Sequence, residues 1–318
     1  TAFSVNSERL FDEVKEAKTL GHSVKAVLLG PVSFLYLGRE KVDGFNRLSL
    51  LPKLLPVYRR ILSRLHEEGV EWVQIDEPVL GLDIDDEWLS AFDGTYAELS
   101  GEPVKLLLTT YFSSLAGHID TIAKLPVAGL HIDAVRGVED LKEIAAKWPR
   151  DKVLSVGVID GRNIWKADLD KALAVLRAPE LAGRENLWVS PSCSLLHVPF
   201  SLDAETKMDP RLKQCLAFAA EKLEEIHALK DGLQQGDAAI AKALESSRQT
   251  VELRKGDWVH NAQVARRLGD LKEGMDRRGS AFRVRQDLQR KRFKLPAFPT
   301  TTIGCFIRCR NIEPWALC

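Results

Sequence analysis

The chain has 318 residues, of which 45% are apolar and 28% charged, ordinary values for a globular protein. Lys plus Arg and Asp plus Glu both number 45, so the formal net charge is zero and favours neither nucleic acid nor an anionic membrane as partner. No apolar run approaches the ~20 residues that span a bilayer, and the N-terminal residues lack a signal-peptide pattern, so we expect a cytoplasmic protein.

Helices and strands are predicted to alternate along the first two thirds of the chain. Apolar residues at helical spacing predict helices over residues 7–20 and 50–68. Further helices are predicted over 85–99, 114–124, 138–148 and 169–176. Six apolar runs that each end in small or polar residues predict strands. They are 24–31, 70–78, 104–112, 129–135, 153–163 and 187–195.

This alternation predicts an α/β fold. The strands are almost continuously apolar, as in parallel sheets covered on both faces, and right-handed crossovers would join them. No G-x-G-x-x-G follows a strand, so a dinucleotide-binding fold has no support. Polar strand ends favour a (βα)8 TIM-type barrel that is incomplete, with about six βα units visible and two strands unaccounted for.

From about residue 203 the composition becomes helical and strongly charged. Helices are predicted over 209–232, 237–252, 261–271 and 280–293. Basic clusters at 277–278 and 290–292 are typical of a solvated or interdomain surface. Nucleic-acid binding is the weaker interpretation, because no aromatic residues are interleaved with these clusters.

The fold is organised around the strand that ends in Asp76 and Glu77. Pro78 has no backbone N–H and closes this strand, so the two carboxylates are expected at the mouth where barrels bind ligands. Adjacent side chains of a strand point to opposite faces, so both cannot enter the barrel unless the backbone turns. Each carboxylate therefore remains open to a ligand contact or to a structural role, as a helix cap or the partner of an arginine.

Further candidates follow the later strands. His131 and Asp133 alternate by two and share one face, so with Glu77 they could line one pocket. A hydrogen-bonded structural histidine is the alternative. Arg162 lies between glycines and an asparagine at a strand end, where it could bind a carboxylate or pair with Asp133 or Glu77.

The stretch 190–197 brings Cys193 and His197 to a turn. Together with His131 and Glu77 they suggest a zinc site, but no C-x-x-C or H-x-x-x-H pair supports it. A Cys–His nucleophile pair is equally unsupported, because no base partner is defined. The five cysteines are too sparse and uneven for a disulfide framework.

Six stretches resemble cobalamin-independent methionine synthase, and the resemblance runs from about residue 11 to residue 304. They are 27–32 (VLLGPV), 72–78 (WVQIDEP), 106–112 (LLLTTYF), 161–165 (GRNIW), 192–197 (SCSLLH) and 292–304 (RFKLPAFPTTTIG). The resemblance implies a zinc-dependent methyltransferase of methionine biosynthesis that uses no cobalamin. It transfers a methyl group from 5-methyltetrahydropteroyltriglutamate to homocysteine, and zinc would present homocysteine as a thiolate.

The family has two face-to-face barrels with the zinc in the second, and the chain departs from this pattern at both ends. It is expected to begin inside the first barrel, which accounts for six strands, and to lack the zinc-binding barrel. We therefore expect no catalytic group and no metal ligand within it. Ile303, Gly304 and Cys305 are the homocysteine-binding positions by motif, although the family has serine where Cys305 stands. Cys193 is expected to be a relic or packing residue.

These expectations divide the chain into four parts. A partial N-terminal barrel covers 1–202, a helical segment that completes it and links domains covers 203–292, the start of the second barrel covers 293–306, and an off-pattern tail covers 307–318. We expect a monomer that is inactive alone and has no nucleic-acid or membrane partner. The alternatives are a non-catalytic binding or assembly module and a uroporphyrinogen decarboxylase-like barrel, which the match after residue 294 disfavours.

Overall fold

A computed structural model describes residues 2–299 of the chain. The chain forms two compact units, one that ends at Gly256 and one that begins at Asp257. The first unit contains the sheet, and its strands are β1 Lys25–Leu29, β2 Trp72–Asp76, β3 Lys105–Thr109, β4 Gly129–Asp133, β5 Val153–Ile159 and β6 Leu187–Pro191. Its helices are α1 Arg9–Thr19, α2 Pro31–Leu37, α3 Leu51–Glu67, α4 Asp86–Leu99, α5 Ile119–Lys124, α6 Leu141–Lys147, α7 Leu169–Leu176, α8 Pro210–Gln214, α9 Ala219–Gln235 and α10 Ala241–Leu253.

The six strands form one parallel sheet in the order of the sequence, which confirms the predicted architecture. Trp72 of β2 and Trp188 of β6 lie with ring centroids 4.8 Å apart. In a flat sheet, strands four positions apart would be separated by about 19 Å. The sheet is therefore curled into a barrel wall, while β1 and β6 each pair along one edge only within residues 2–299.

The outer face of the curled sheet carries the hydrophobic core. Val73 and Ile75 of β2 are fully buried there, and Leu62 and Leu65 on the apolar face of α3 belong to the same core cluster. Each fully buried aliphatic side chain contributes about 1.5–3 kcal/mol through its removal from water. Because the helices bury one face of each strand, the alternate residues point to the inside of the barrel.

The inner face is more polar and lies partly open. The strand register places Asp76 beside Thr109, Thr109 beside His131, and His131 beside Ser155. Because registered neighbours in a parallel sheet point to the same side, these side chains share the concave surface. The strands therefore bring polar groups from four neighbouring strands to one wall.

The helix predicted over 209–232 is two helices, so that prediction is wrong. Between α8 and α9 the backbone turns away, and Leu216 forms an antiparallel bridge with Trp165. The carbonyl of Cys215 accepts the N–H of Lys166, and Ala217 donates to the carbonyl of Ile164. These tertiary hydrogen bonds replace helical ones, which local helix propensity could not show.

Two other differences concern helices: one was not expected, and one begins later than expected. Helix α2 was not predicted, although Gly30-Pro31 is a favourable start, since proline fits the first helical turn. The helix predicted from residue 114 begins only at Ile119. The hydroxyl of Ser114 and the backbone N–H of Leu115 instead both donate to the carboxylate of Asp140.

The second unit contains two described helices, α11 Ala262–Gly269 and α12 Phe282–Phe293. Helix α11 is capped by Asn261, whose side-chain oxygen accepts the N–H groups of Gln263 and Val264. Across residues 2–299, no helix has both the length and the apolar character needed to cross a bilayer.

Candidate functional site

Asp76 and Glu77 lie on opposite sides of the sheet. Asp76 ends β2 on the inner face and is half-buried. Glu77 is fully buried on the outer face, between the sheet and helices α2 and α4. The prediction that Glu77 could share one pocket with His131 and Asp133 is therefore wrong, because the alternation of the strand continues through residue 77.

Glu77 anchors the first turn of α2. Its carboxylate accepts the backbone N–H of Ser33 at 2.7 Å and of Val32 at 3.4 Å, and the hydroxyl of Tyr96 donates to it at 3.0 Å. A helix N-terminus offers unpaired N–H groups and a partial positive charge to such an anion. Burial nevertheless raises the pKa of Glu77 to about 7. Gly30 is required here, since a Cβ at that position would overlap the carboxyl group.

Asp76 faces the concave side in a hydrogen-bonded setting. The Gln74 side chain donates to one carboxylate oxygen at 2.8 Å, and the Tyr111 hydroxyl approaches the other at 3.4 Å. Burial raises the pKa of Asp76, whereas these donors and the charge of Lys25 oppose the shift. Burial also lowers the pKa of Lys25.

His131 is held by serines of the neighbouring strands. Its Nδ1 lies 3.0 Å from Ser155 Oγ and 3.1 Å from Ser190 Oγ, and its Nε2 lies 3.4 Å from the carbonyl oxygen of Ser192. Because a carbonyl only accepts, this arrangement assigns the proton to Nε2 and leaves Nδ1 to accept from a hydroxyl. Burial lowers the pKa of His131 to about 4, so the ring is neutral at neutral pH.

Asp133 ties together the turns that follow β3 and β4. One carboxylate oxygen accepts the backbone N–H groups of Val135 and Arg136 at 3.0 and 2.9 Å, and the other accepts that of Phe112 at 3.0 Å. The guanidinium of Arg136 lies 3.5 Å from Asp133 and 3.3 Å from Asp160. A carboxylate with this many protein donors is a rigid part of the mouth.

Arg162 does not pair with Asp133 or Glu77, so that prediction is wrong. Its guanidinium lies 4.5 Å from the centre of the Phe112 ring, in a cation–π contact. The His197 ring packs edge-on against the Phe112 ring, with the two ring centroids 5.5 Å apart. Phe112 has a backbone φ of +76°, a strained conformation for a bulky residue and one that clusters at functional sites.

Cys193 is a buried thiol beside this group. Its Sγ lies 3.8 Å from the carbonyl oxygen of Ser194, and burial raises its pKa, which disfavours the thiolate that nucleophilic chemistry needs. The ring of His197 packs on Phe112, and no hydrogen bond joins it to Cys193 in the described part of the chain.

Two glycines let the segment after β6 approach the end of β5. A Cβ on Gly157 would lie 2.7 Å from the Cα of Ser192, and one on Gly161 would lie 2.7 Å from the carbonyl oxygen of Cys193. The structure shows that each accommodates a neighbouring backbone segment.

The mouth combines a carboxyl group, a neutral imidazole and an exposed guanidinium around an aromatic cluster. Such groups can hydrogen-bond and orient a polar ligand, but the positions of Cys193 and His131 do not create an activated nucleophile. The sequence analysis missed Tyr111, Phe112 and Arg136. The position of Tyr111 and Phe112 directly after β3 was the available signal, since strand ends form the mouth.

Comparison with known proteins decides the family. A profile described as the N-terminal domain of cobalamin-independent synthase matches residues 1–182, more than half of the chain. The chain belongs to the cobalamin-independent methionine synthase family. Relatives named 5-methyltetrahydropteroyltriglutamate–homocysteine methyltransferase include those of Acidithiobacillus ferrooxidans, 45% identical, and Burkholderia pseudomallei, 48% identical, over 98% of this chain. The chain spans 43% and 41% of the length of these relatives.

Solved structures share the fold of this family member. A B12-independent methionine synthase from Shewanella sp. W3-18-1 superposes with a TM-score of 0.50 at 15% identity, over 77% of this chain and 69% of the other. A methyltransferase from Methanosarcina mazei gives 0.51 at 14% identity, over 73% and 68% of the two chains. The predicted α/β barrel class and family resemblance are thereby confirmed.

The zinc that the methionine synthase resemblance implies does not fit the residues described here. Glu77 lies across the sheet from His131, and the His131 ring is committed to serines and a carbonyl. Burial raises the pKa of the Cys193 thiol, which disfavours the thiolate that zinc binds. No group of three or more His, Cys, Asp or Glu side chains within residues 2–299 could hold a metal ion. Ile303, Gly304 and Cys305 lie outside the described residues.

Proposed function

We propose that this chain is the first-barrel portion of an enzyme that transfers a methyl group from 5-methyltetrahydropteroyltriglutamate to homocysteine. The observation that supports this most strongly is the 45–48% identity, over 98% of the chain, to proteins named for that reaction. Membership of a cobalamin-independent family means that the methyl group does not pass through cobalamin.

In this proposal the chain provides structure and surface for the methyl transfer. Glu77 and Asp133, the two buried carboxylates at the strand ends, spend their lone pairs on backbone N–H groups of the chain itself. Such groups hold loops in position and have little capacity left for a substrate. Asp76 and Arg162 keep exposed atoms at the mouth and are the groups available to a polar ligand.

The same proposal covers the zinc site, the homocysteine contacts, the domain boundaries, the oligomeric state and the location in the cell. Zinc is assigned to the second barrel that the resemblance implies, and homocysteine contacts to Ile303, Gly304 and Cys305. The expected boundaries after residues 202, 292 and 306 stay with it, as do a monomeric state and a cytoplasmic location.

A chimera tests the function directly. Residues 2–299 of this chain replace the segment that they match in the Burkholderia pseudomallei relative, which is 48% identical. We expect methyl transfer to homocysteine from the triglutamate folate within about tenfold of the parent kcat/KM, a change of about 1.4 kcal/mol in the barrier. A chimera that folds as stably as the parent but has no turnover would contradict the proposal.

An assay of the chain by itself tests the structural role that the proposal assigns to it. We expect no turnover by purified chain 1–318, because the proposal leaves the reacting groups to other parts of the enzyme. Turnover by the chain alone would rule out both the module and the structural role.

A further inference from the structure

Ser280 lies in the exposed connection between α11 and α12, in the second compact unit. Residues 277–281 belong to neither a helix nor a strand, and every residue from 277 to 282 is exposed. The hydroxyl of Ser280 forms no hydrogen bond within residues 2–299. This side chain is therefore open to an enzyme that approaches from solvent.

The backbone beside Ser280 can adopt the shape of an enzyme cleft at little cost. The N–H groups of Arg278, Gly279 and Ser280 form no hydrogen bond within residues 2–299. The preceding turn closes with the bond from Arg277 N–H to the carbonyl of Gly274. A protein kinase has to bring the target hydroxyl within reach of its catalytic aspartate, so a segment that is already outside regular structure loses no backbone bonds on entering.

Two arginines precede the serine. Arg277 and Arg278 stand three and two residues before Ser280, both are exposed, and their guanidinium groups form no ion pair within residues 2–299. A guanidinium group binds carboxylates through two parallel hydrogen bonds, and kinases choose substrates by the pattern of charges beside the target. The pair fits a kinase whose substrate cleft is acidic.

Ser63 also follows an arginine pair, Arg59-Arg60, but its setting is different. It lies inside helix α3, and its hydroxyl donates to the carboxylate of Glu102 at 2.7 Å. The guanidinium of Arg59 donates to the same carboxylate at 2.8 Å. Phosphorylation of Ser63 would require α3 to unwind and these bonds to break, so the two serines differ in structure more than in sequence.

We propose that Ser280 is a phosphorylation site for an ATP-dependent serine kinase that recognises the preceding arginine pair. The Oγ of Ser280 attacks the γ-phosphorus of ATP and passes its proton to the catalytic aspartate of the kinase, and the bond to the departing ADP breaks. The site is independent of the proposed methyl transfer.

The start of α12 offers partners for the resulting phosphate. Ala281 at the N-cap position provides no side-chain cap, and the guanidinium of Arg285 already donates to the carbonyl of Ser280 at 2.9 Å. A phosphoserine brings a charge of about −1.5 to −2 and three acceptor oxygens. Because an anion is stabilised by a helix N-terminus and by arginine, we expect the phosphate to pair with Arg285 and fix the first turn of α12.

Incubation of the purified chain with ATP and the catalytic subunit of cAMP-dependent protein kinase tests the acceptor. Mass spectrometry should show one added phosphoryl group, and peptide mapping should place it on Ser280. Ser280→Ala should lower incorporation roughly tenfold or more, whereas Ser63→Ala should leave it unchanged. Modification at Ser63 instead, or equal incorporation by the Ser280→Ala chain, would overturn the proposal.

Paired variants test recognition by the arginines. Arg277→Gln with Arg278→Gln should raise the KM of the kinase for the chain by roughly tenfold or more. Arg266→Gln with Arg267→Gln removes the same charge from exposed positions of α11 and should change KM by less than about twofold. Equal effects of the two pairs would show attraction to general charge and contradict recognition of the segment.

Phosphorus NMR of the phosphorylated chain tests the pairing with Arg285. The second pKa of the phosphate should lie below the ordinary value of about 6, because a neighbouring guanidinium favours the dianion. Arg285→Gln should return it to that value, and Arg283→Gln, in the same turn, should change it less. A phosphate that titrates at the ordinary value in the unsubstituted chain would contradict the pairing.

Discussion

The carboxylate of Glu77 accepts the backbone N–H of Ser33 at 2.7 Å and so joins the end of β2 to the first turn of α2. Helix α2 has no side-chain cap of its own, because Gly30 occupies its N-cap position. A carboxylate from a neighbouring strand takes over that capping role. This bond connects two elements that are 44 residues apart in sequence.

Gly30→Ala should destabilise the first unit by about 1–3 kcal/mol, because its Cβ would occupy the space of the Glu77 carboxyl group. Urea unfolding followed by circular dichroism measures the loss. Gly94→Ala is the matched control: no atom lies within 4 Å of its added Cβ in helix α4, so it should stabilise by about 0.5–1 kcal/mol. Equal behaviour of the two variants would contradict the close approach at Gly30.

Glu77→Gln should change how stability depends on pH. The pKa of Glu77 is raised from 4.5 to about 7, so the folded chain holds this proton more tightly than the unfolded chain. Its contribution is fully present below pH 4.5 and is lost as the pH rises through about 7, a difference of roughly 3 kcal/mol. The free energy of unfolding of wild type minus that of the variant should fall by this amount across the window. A pH-independent difference would contradict the buried carboxyl.

His131→Gln should show the opposite trend. The pKa of His131 is lowered from 6.5 to about 4, so its contribution to stability is present above pH 6.5 and is lost as the pH falls through about 4. Wild type minus variant should therefore decrease by roughly 3 kcal/mol on acidification. The imidazole C–H resonances of His131 should also remain constant down to about pH 5, and a titration near 6.5 would contradict its burial.

Asp133→Asn should lower the free energy of unfolding by about 2–4 kcal/mol. Its amide nitrogen would face a backbone N–H that accepts no proton and that is paired with a carboxylate oxygen in the wild-type chain. Asp160→Asn, at the half-buried partner of the same arginine, should cost about half as much or less. Thermal unfolding of the two variants ranks them, and a larger loss for Asp160→Asn would contradict the assigned network.

The strands of this fold could be predicted from sequence because each combines a continuous apolar run with a polar end. Alternation of side chains also separated Asp76 from Glu77. Contacts between distant segments were beyond prediction: the capping of α2 by Glu77, the bridge of Leu216 to Trp165, and the positive φ of Phe112. Local propensity carries no information on such tertiary contacts.

The same limit applies to the mouth. His131, Asp133 and Arg162 could be predicted as residues of the mouth. Their hydrogen-bond and ring partners depend on the register of the strands and the path of the turns, which the sequence does not show. Arg136 takes the place at Asp133 that was expected for Arg162. Spacing alone showed which residues share a face, and it could not show which side chains satisfy each other.

In the proposed function, this chain supports the fold of the enzyme and takes no part in the chemistry of methyl transfer. The most direct test is kcat/KM for methyl transfer by the chimera carrying Glu77→Gln, measured well below its unfolding temperature. We expect a value within twofold of the unsubstituted chimera, together with a lower melting temperature. A loss of a hundredfold or more, about 2.7 kcal/mol of transition-state stabilisation, with an unchanged melting temperature would contradict the claim.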